Sequence, residues 1–226
     1  RICMVTDAIE YHPIGIIRTP YVNKYDAPRQ PMVDDRVDVA VIELMAHANL
    51  EQAVRDLDGC DRIWLLTHFH RVDGWKPLVL PPRDRTKRGV LATRSPHRPN
   101  PIGLTCVELV AVDGLRITVR GTDLLDGTPV LDIKPYVAYA DAFPESRVQW
   151  LESAASTPVY TVVVATSAEH LPGDVINHVR RVLEADPLPH PYRRIEAAAD
   201  GGYVIAVREH RIRFDIDGHT VTILGE

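Results

Sequence analysis

The chain has 226 residues, of which 45% are hydrophobic and 25% are charged, and its formal net charge is −5. These values are those of an ordinary globular protein and exclude a disordered or collagen-like chain. No apolar run approaches the roughly 18 residues of a membrane-spanning helix, and the 3 cysteines, which form no CxxC pair, exclude a disulfide framework. We therefore expect a cytoplasmic protein with one large domain, or with one medium domain and a small appendage.

Short strands dominate the first part of the chain. Apolar or alternating runs predict them at 14–18, 37–42, 63–67, 89–93, 104–112, 115–120 and 130–133. The Asp113-Gly114 dipeptide predicts a hairpin turn between two of these strands. Asn49 is the predicted N-cap of a helix that ends near Gly59. Many short strands joined by turns and long loops favour an antiparallel barrel or sandwich over a doubly wound sheet.

The second part of the chain has a different pattern. Small and polar residues dominate 143–158, which we interpret as a linker. Beyond it, a helix is predicted at 174–185 from the apolar spacing, and strands are predicted at 159–166, 203–207, 212–216 and 220–224. The sequence therefore predicts a mainly β domain over residues 1–150 and a small C-terminal α+β domain over residues 151–226.

A proline-rich stretch, Arg94-Ser-Pro-His-Arg-Pro-Asn-Pro-Ile-Gly-Leu104, separates two of the predicted strands. Each proline removes a backbone donor and fixes φ, which excludes both a helix and a central strand. We predict a stiff, extended loop that holds two arginines, a histidine and an asparagine in place for a ligand. The alternative is a charged surface crossover without a binding role.

The sequence lacks the common cofactor-binding motifs. No Gly-x-Gly-x-x-Gly follows a predicted strand, and there is no Walker loop. His68 and His70 would lie on one face of a strand, but no third ligand stands nearby, and we predict no metal site. We expect His70 to line a ligand pocket and His68 to be a packing residue.

Positive charge is concentrated in two places, although the net charge is negative. The first group comprises Arg83, Arg85, Lys87, Arg88, Arg94 and Arg98, with Asp84 as the single acid among them. The second group comprises Arg193, Arg194, Arg208, Arg211 and Arg213. An acidic body with basic faces can bind a polyanion such as RNA. The alternatives are a solvated loop for the first group and a simple balance of local acids for the second.

Three stretches, in the same order along the chain, resemble the TrmO family, also called the TsaA-like family. They are Ala27-Pro-Arg-Gln-Pro31, the proline-rich stretch, and Asp123-Leu-Leu-Asp-Gly-Thr-Pro-Val-Leu-Asp-Ile-Lys-Pro-Tyr136. The resemblance runs from about Ile14 to Trp150 and continues more weakly beyond. It implies a β-barrel that uses S-adenosylmethionine to methylate N6 of threonylcarbamoyladenosine beside the anticodon of certain tRNAs. It also implies a homodimer with the cofactor site near the subunit boundary.

The resemblance further implies which residues hold S-adenosylmethionine. They are Pro28, Arg29, Gln30, His70, Arg71, Arg94, Leu104, Asp123, Leu124, Leu125 and Asp126. Arg29 or Arg94 would bind the carboxylate of the cofactor through bidentate hydrogen bonds, and backbone groups near Leu104 would read the adenine. From the residues alone, Asp126 equally well stabilises its own turn before Gly127.

Methyl transfer to a ureido nitrogen requires loss of the N6 proton and alignment of the nitrogen with the methyl group. We predict that a carboxylate, Asp126 or else Asp132, assists proton removal. Tyr136 would stack on the modified base or hydrogen-bond to it, although a core tyrosine is an equally good interpretation. Salt-dependent contacts to the anticodon-stem phosphates are predicted for Arg83, Arg85, Lys87, Arg88 and Arg98.

Two other functions fit the same residues. One is a non-catalytic RNA-binding or regulatory module on the same barrel, and the other is a small-molecule hydrolase that uses the histidines. Binding of S-adenosylhomocysteine separates the methyltransferase from the hydrolase. A comparison of modified and unmodified tRNA separates the methyltransferase from the RNA-binding module.

Overall fold

The computed structural model of the protein describes residues 9–23, 27–28, 38–46, 49–81, 84, 86–155, 160–189 and 194–226. The chain divides into two compact units, one drawn from Arg1–Val79 and Arg88–Glu145 and the other from Leu80–Lys87 and Ser146–Glu226. The predicted boundary at residue 150 stays a prediction. Among the described residues, no helix is both long enough and apolar enough to cross a bilayer.

A closed barrel of antiparallel strands forms the centre of the first unit. The strands of this unit are β1 (Gly15–Arg18), β2 (Val39–Leu44), β3 (Arg62–His68), β4 (Leu78–Val79), β5 (Arg88–Gly89), β6 (Ile102–Asp113), β7 (Arg116–Arg120) and β8 (Thr128–Pro135). The barrel closes in the order β1-β2-β7-β6-β3-β8, and β4 pairs with β5 as a separate ribbon. The predicted fold class, a mainly β protein with an antiparallel barrel, is confirmed.

Alternation along the strands builds the barrel core. In β3, Ile63, Leu65 and Thr67 are fully buried, whereas Trp64 and Leu66 between them are only half-buried. The other buried side chains of this core are Ile17, Ala40, Ile42, Leu44, Val107, Ile117, Val119, Leu124 and Val130. Burial of each large apolar side chain stabilises the fold by about 1.5–3 kcal/mol. The interior of the barrel is therefore a packed core.

β1 and β2 approach each other closely at Gly15, which pairs with Leu44. A Cβ atom at Gly15 would lie 2.5 Å from the backbone oxygen of Glu43 and 2.9 Å from Leu44 Cα. Backbone atoms cannot rotate away as the end of a side chain can. β1, which closes the barrel by pairing with both β2 and β8, therefore requires glycine at position 15.

The helix predicted from Asn49 to Gly59 is wrong in length. α1 covers only Leu50–Ala53, and a 3-10 turn follows at Leu57–Gly59. Asn49 has a left-handed backbone (φ 57) without a side-chain capping bond, and Asp56 is also left-handed (φ 64). The chain therefore turns twice where the apolar spacing predicted one continuous helix.

Two further local predictions are wrong. The strand predicted at 89–93 stops after Gly89, because Val90–Ala92 forms a 3-10 turn. The predicted linker at 143–158 contains α3 (Gln149–Ala155), and α2 (Ala138–Asp141) precedes it. Glutamine, leucine, glutamate and alanine are good helix formers, a preference that an interpretation based on small and polar composition overlooks.

The second unit packs one helix on a five-stranded sheet. α4 (Gly173–Ala185) buries Val175, Val179 and Leu183, which confirms the predicted helix. The strands are β9 (Thr161–Val164), β10 (Ile195–Ala197), β11 (Tyr203–Val207), β12 (His210–Asp217) and β13 (Thr220–Gly225). They are ordered β10-β11-β12-β13-β9, with only the β13–β9 pair parallel. The three residues of β10 are too short a run for the alternation rule to detect.

Candidate cofactor site at one rim of the barrel

Strand direction decides which loops of the barrel meet. Because every neighbouring pair is antiparallel, β1, β3 and β7 end at the rim where β2, β6 and β8 begin. We call this end the site rim; its connections are 19–38, 69–101 and 121–127. All the predicted cofactor residues belong to these connections except Leu104, the third residue of β6. Of these residues, Arg29 and Gln30 lie outside the described part of the chain, and Pro28 is half-buried.

The first and third connections are hydrogen-bonded together through Thr19 and Asp126. The Thr19 amide donates to Asp126 Oδ1 (3.1 Å), and the Thr19 hydroxyl donates to the Leu124 carbonyl (3.1 Å). The Asp126 amide donates to the Tyr21 carbonyl (2.9 Å). Asp126 Oδ2 lies 3.8 Å from Arg18 Nη1. Both carboxylate oxygens of Asp126 therefore contact neighbours that fix the loop.

Arg71 joins all three connections of the site rim. Its Nη1 donates to the Val22 carbonyl (2.6 Å), and its Nη2 donates to the Asp126 carbonyl (3.2 Å). Its Nε donates to His70 Nε2 (3.2 Å). Partial desolvation of His70, together with the positive charge of Arg71, lowers the pKa of the imidazole. The neutral ring is therefore favoured, as its acceptor role toward Arg71 requires.

Asp123 is the carboxylate that reaches over the barrel interior. Its Oδ1 accepts a hydrogen bond from the Thr105 hydroxyl (3.0 Å), and Thr105 faces inward on β6 with 4% of its surface exposed. Burial raises the pKa of Asp123, while the Thr105 hydrogen bond and the positive charge of Arg94 oppose that shift. Asp123 is therefore a more basic carboxylate than one in water.

The two leucines that follow Asp123 have different surroundings. Leu124 is only 3% exposed and belongs to the barrel core, so its side chain plugs this end of the barrel. Leu125 is half-buried, and its carbonyl accepts a hydrogen bond from the Thr128 hydroxyl (2.7 Å). The segment from Asp123 to Asp126 is therefore anchored from both sides.

Sequence reasoning missed the threonines that line this end of the barrel. Among the described residues, the barrel buries four polar side chains: Thr67, Thr105, Thr122 and Thr128. All four lie near the site rim, and the Thr67 hydroxyl finds no hydrogen-bond partner within the described part of the chain. A threonine at the inward position of an otherwise apolar alternation is the sequence signal that could have identified Thr67 and Thr105.

Hydrogen bonds fix the base of the proline-rich loop, but the last three residues of the predicted loop, Ile102 to Leu104, belong to β6. Arg98 Nη1 donates to the carbonyls of Thr93 (2.8 Å) and Val90 (3.3 Å), across the base of the loop. The Phe69 amide donates to the Pro101 carbonyl (2.8 Å), which joins the loop to the end of β3. Arg94 is exposed on this loop. The guanidinium of Arg98 thus stabilises the loop itself, and its predicted contact with RNA stays a prediction.

Leu104 lies on the outer face of β6, next to the site rim. It is 63% exposed, and Ile102 two residues earlier is 41% exposed. Between them, Gly103 pairs with Thr67 and faces the interior. The apolar surface at Leu104 is therefore available to a flat aromatic ligand.

The structure does not bring Asp132 and Tyr136 to the site rim. Asp132 is the fifth residue of β8, and its Oδ2 lies 2.8 Å from Lys134 Nζ. Tyr136 follows the far end of β8, where its amide donates to the Arg62 carbonyl (3.0 Å) and its ring packs 5.7 Å from that of Trp64. The predicted catalytic set of Asp126, Asp132 and Tyr136 is thus spread along the length of the barrel.

The predicted RNA-binding residues are only partly described. Arg83 and Arg85 lie outside the described residues; Lys87 is exposed in the second unit, and Arg88 is half-buried in β5 of the first. Their role stays a prediction. Within the described residues no cluster of three His, Cys, Asp or Glu side chains could hold a metal ion.

The C-terminal arginines pair with local acids. Arg208 contacts Asp174 (2.8 Å), and Arg213 contacts Asp200 (2.7 Å). These hydrogen bonds lower the pKa of both carboxyls. Arg211 lies 3.4 Å from Glu196. For these three arginines the structure favours a balance of local charge; Arg193 lies outside the described residues, and the role of Arg194 stays a prediction.

The chain combines a closed six-stranded barrel with a rim of loops, and its similarity to known proteins shows the family to which it belongs. Residues 16–142 match the family described as tRNA-methyltransferase O N-terminal domain, and the chain is a member of that family. The resemblance seen in the sequence is confirmed.

Relatives and a solved structure extend this match beyond the barrel. The chain is 34% identical to the tRNA (adenine(37)-N6)-methyltransferase of Escherichia coli over 92% of its own length and 94% of that protein. It is 40% identical to the probable S-adenosyl-L-methionine-binding protein of Archaeoglobus fulgidus, over 65% of this chain and 39% of the relative. The crystal structure of TrmO from Pseudomonas aeruginosa superposes with a TM-score of 0.58 at 28% identity, covering 97% of this chain and 98% of that chain.

Proposed function

We propose that the protein is an S-adenosylmethionine-dependent tRNA methyltransferase that converts N6-threonylcarbamoyladenosine at position 37 of tRNA into its N6-methyl form. The observation that carries the proposal is the match to the Escherichia coli tRNA (adenine(37)-N6)-methyltransferase over 92% of the chain and 94% of that enzyme. The Archaeoglobus fulgidus relative, described as binding S-adenosyl-L-methionine, supports the choice of cofactor. The modification already present on the base is our inference from the sequence resemblance.

The donor set at the site rim fits S-adenosylmethionine. Arg94 is exposed and close enough to Asp123 to influence its pKa, so the rim offers a cation for the carboxylate of the cofactor and an anion for its positive end. Leu104 offers an apolar surface to the adenine. When bound, the cofactor supplies an electrophilic methyl group on a sulfonium. Pro28, Arg29 and Gln30 would complete the site from the first connection.

Arg71 and Asp126 serve this site by holding its walls. Their hydrogen bonds join the three connections and so hold the loops at a fixed spacing. A loop that is already ordered loses little entropy when a ligand binds. We therefore assign Arg71 and Asp126 chiefly to the positioning of the cofactor loops.

Asp123 is our candidate for the group that takes the N6 proton. Asp126 has neighbours at both carboxylate oxygens, and Asp132 lies midway along β8 with Lys134 and the Ile133 amide as partners. Asp123 lies at the site rim, and its raised pKa makes it a better proton acceptor near neutral pH. Proton transfer from N6 to Asp123 would leave an electron pair on nitrogen for the new bond to the methyl carbon, while the carbon–sulfur bond would break and its electron pair would stay on the sulfur of S-adenosylhomocysteine.

The RNA is proposed to lie against the basic side chains between 83 and 98. Lys87, Arg88 and Arg98, together with Arg83 and Arg85, would contact the phosphates of the anticodon stem. Such contacts release counterions, so the affinity for tRNA should fall steeply as salt rises. We also propose, from the family resemblance, that the protein acts as a homodimer in the cytoplasm.

A methyl-transfer assay with two tRNA preparations tests the proposal. One comes from cells that make threonylcarbamoyladenosine, and the other comes from cells that do not. Labelled methyl groups should enter only the first, at adenosine 37. Equal labelling of both preparations would refute the proposed substrate while leaving a tRNA methyltransferase. Tight tRNA binding without any transfer would favour the non-catalytic RNA-binding module.

A further inference from the structure

An arm of the first unit belongs to one connection of the site rim and is fixed by hydrogen bonds on two sides. It consists of residues 74–79 and 88–101, both within the connection between β3 and β6. On one side, β4 pairs with β5, and the Val90 amide donates to the Pro77 carbonyl (3.0 Å). On the other side, the Lys76 amide donates to the His97 carbonyl (3.1 Å). We call residues 74–79 and 88–101 the Trp75 arm.

Large apolar side chains of the Trp75 arm face solvent. Trp75 is 54% exposed, Leu78 is 55% exposed and Leu91 is 74% exposed. An exposed tryptophan leaves a large aromatic surface in water, whereas such rings usually find a packed environment. Trp64, by contrast, packs on Tyr136 and donates its indole N–H to Asp141. The exposure of Trp75 on a hydrogen-bonded segment therefore indicates a ligand-binding surface.

The charge of the arm indicates what it binds. The cations of the Trp75 arm are Lys76, Arg88, Arg94 and Arg98, and its sequence contains no aspartate or glutamate. The chain as a whole carries a net charge of −5, so this concentration runs against the average. Aromatic side chains among cations are the common platform for unpaired nucleotides, because bases stack on the ring while the cations attract the backbone.

We propose that Trp75 stacks on an unpaired base of the tRNA anticodon loop, and that the Trp75 arm is the surface that grips this loop beside the cofactor site. The inference rests on the proposed function, because the arm leaves the barrel at the rim where the cofactor is placed. Stacking on Trp75 brings the loop to the rim, and the exposed Lys76 beside it attracts the phosphates of the loop. A stiff arm makes this contact with little loss of entropy.

The test uses the full chain with Trp75→Ala, Trp75→Phe and a matched control, Tyr139→Ala. Tyr139 is an aromatic residue with 93% exposure that follows the far end of β8, away from the site rim. For each variant, the tRNA dissociation constant and the KM and kcat of methyl transfer are measured at one salt concentration. Calorimetry with S-adenosylhomocysteine and sedimentation velocity complete the set.

Trp75→Ala should weaken tRNA binding and raise the KM for tRNA about ten-fold or more, since a stacked base is lost. Trp75→Phe should retain most of the affinity, and Tyr139→Ala should match the wild type. The dissociation constant for S-adenosylhomocysteine should change by less than about two-fold in all variants, because the substituted side chains are exposed and lie outside the cofactor site.

Wild-type tRNA affinity and KM in Trp75→Ala, alongside normal methyl transfer, would overturn the inference and leave the proposed function intact. A change of Trp75→Ala from dimer to monomer would overturn it as well, by assigning the arm to a subunit contact. If the wild type neither binds nor methylates tRNA, the proposed function itself fails.

Discussion

Asp123→Asn separates a role in chemistry from a role in folding. The substitution keeps the shape of the side chain and leaves an oxygen to accept the hydrogen bond from the Thr105 hydroxyl, which is 3.0 Å long. What it removes is the basic oxygen. Since general-base assistance contributes about 10²- to 10⁴-fold to a rate, we expect kcat to fall by about that factor, with cofactor binding reduced far less.

The same substitution should not weaken the fold near neutral pH. Burial raises the folded-state pKa of Asp123 above the ordinary value of 3.8. The stability that this group contributes is therefore fully present below the ordinary pKa and is lost as pH rises through the folded pKa. Above that window the ionised Asp123 opposes burial, so Asp123→Asn should have an equal or higher Tm than the wild type. Thermal unfolding over a pH series measures this difference.

Methyl transfer and its pH profile provide the decisive assay. In the wild type, kcat should rise with pH as Asp123 loses its proton, and this limb should disappear in Asp123→Asn. Asp126→Asn keeps an acceptor for the Thr19 amide and loses mainly the 3.8 Å contact with the exposed Arg18, so a smaller loss is expected. Full activity of Asp123→Asn, or an unchanged acid limb, would refute the assignment.

Three further substitutions test the packing and the loop contacts. Gly15→Ala should lower the free energy of unfolding, measured with urea, by about 3 kcal/mol, because the added Cβ meets backbone atoms of Glu43. Gly59→Ala is the control: no atom lies near its Cβ, and the free energy of unfolding should change by less than about 0.5 kcal/mol. Thr67→Val removes a buried hydroxyl without a partner among the described residues and should leave the free energy of unfolding unchanged or raise it by about 1 kcal/mol; clear destabilisation would show that the hydroxyl is satisfied. In Arg71→Lys, the single ammonium group cannot replace the planar guanidinium that donates to two carbonyls at once. Binding of S-adenosylhomocysteine, measured by calorimetry, should therefore weaken about three- to ten-fold. Unchanged affinity would show that Arg71 does not position the cofactor loops.

Elements with a clear apolar pattern or turn signal could be predicted from the sequence, because such signals report which residues form a core or a turn. β3 was predicted from its continuous apolar run, β7 from the hairpin turn before it and α4 from its helical apolar spacing, each to within one or two residues. The helix from Asn49 was not predictable in length, because α1 ends at Ala53 and the left-handed backbone at Asp56, which side-chain spacing does not report, interrupts the predicted run before Gly59. Local periodicity therefore predicts elements better than it predicts where they stop.

The site was predictable in its loops but not in the division of labour among its carboxylates. The motif Asp126-Gly-Thr-Pro drew attention to Asp126, whose contacts now explain it as a loop anchor. Asp123 gains its basic character from burial beside Thr105, which depends on the register of β6 and on the path of the third connection. Neither the register of β6 nor the path of the third connection can be predicted from residue spacing.

The position of Tyr136 makes any catalytic role of this residue depend on the formation of a dimer. The stretch from Asp123 to Tyr136 includes all of β8, whose eight residues span about 27 Å at the usual rise of a strand. Within one chain, Tyr136 therefore lies at the end of the barrel opposite to Asp123. A role for Tyr136 in the reaction requires the far end of a second copy to meet the site rim of the first.

That arrangement makes a quantitative prediction for mixed subunits. If the site is shared, a mixture of inactive Asp123→Asn and Tyr136→Phe chains should regain activity, because each hybrid dimer contains one site with both native side chains. Subunits exchanged under mild denaturant and assayed for methyl transfer should then approach a quarter of the wild-type rate, since about half the dimers are hybrid and each has one intact site of two. Wild-type activity in Tyr136→Phe alone would show that the tyrosine only packs against Trp64, and two inactive variants that fail to complement would refute the shared site.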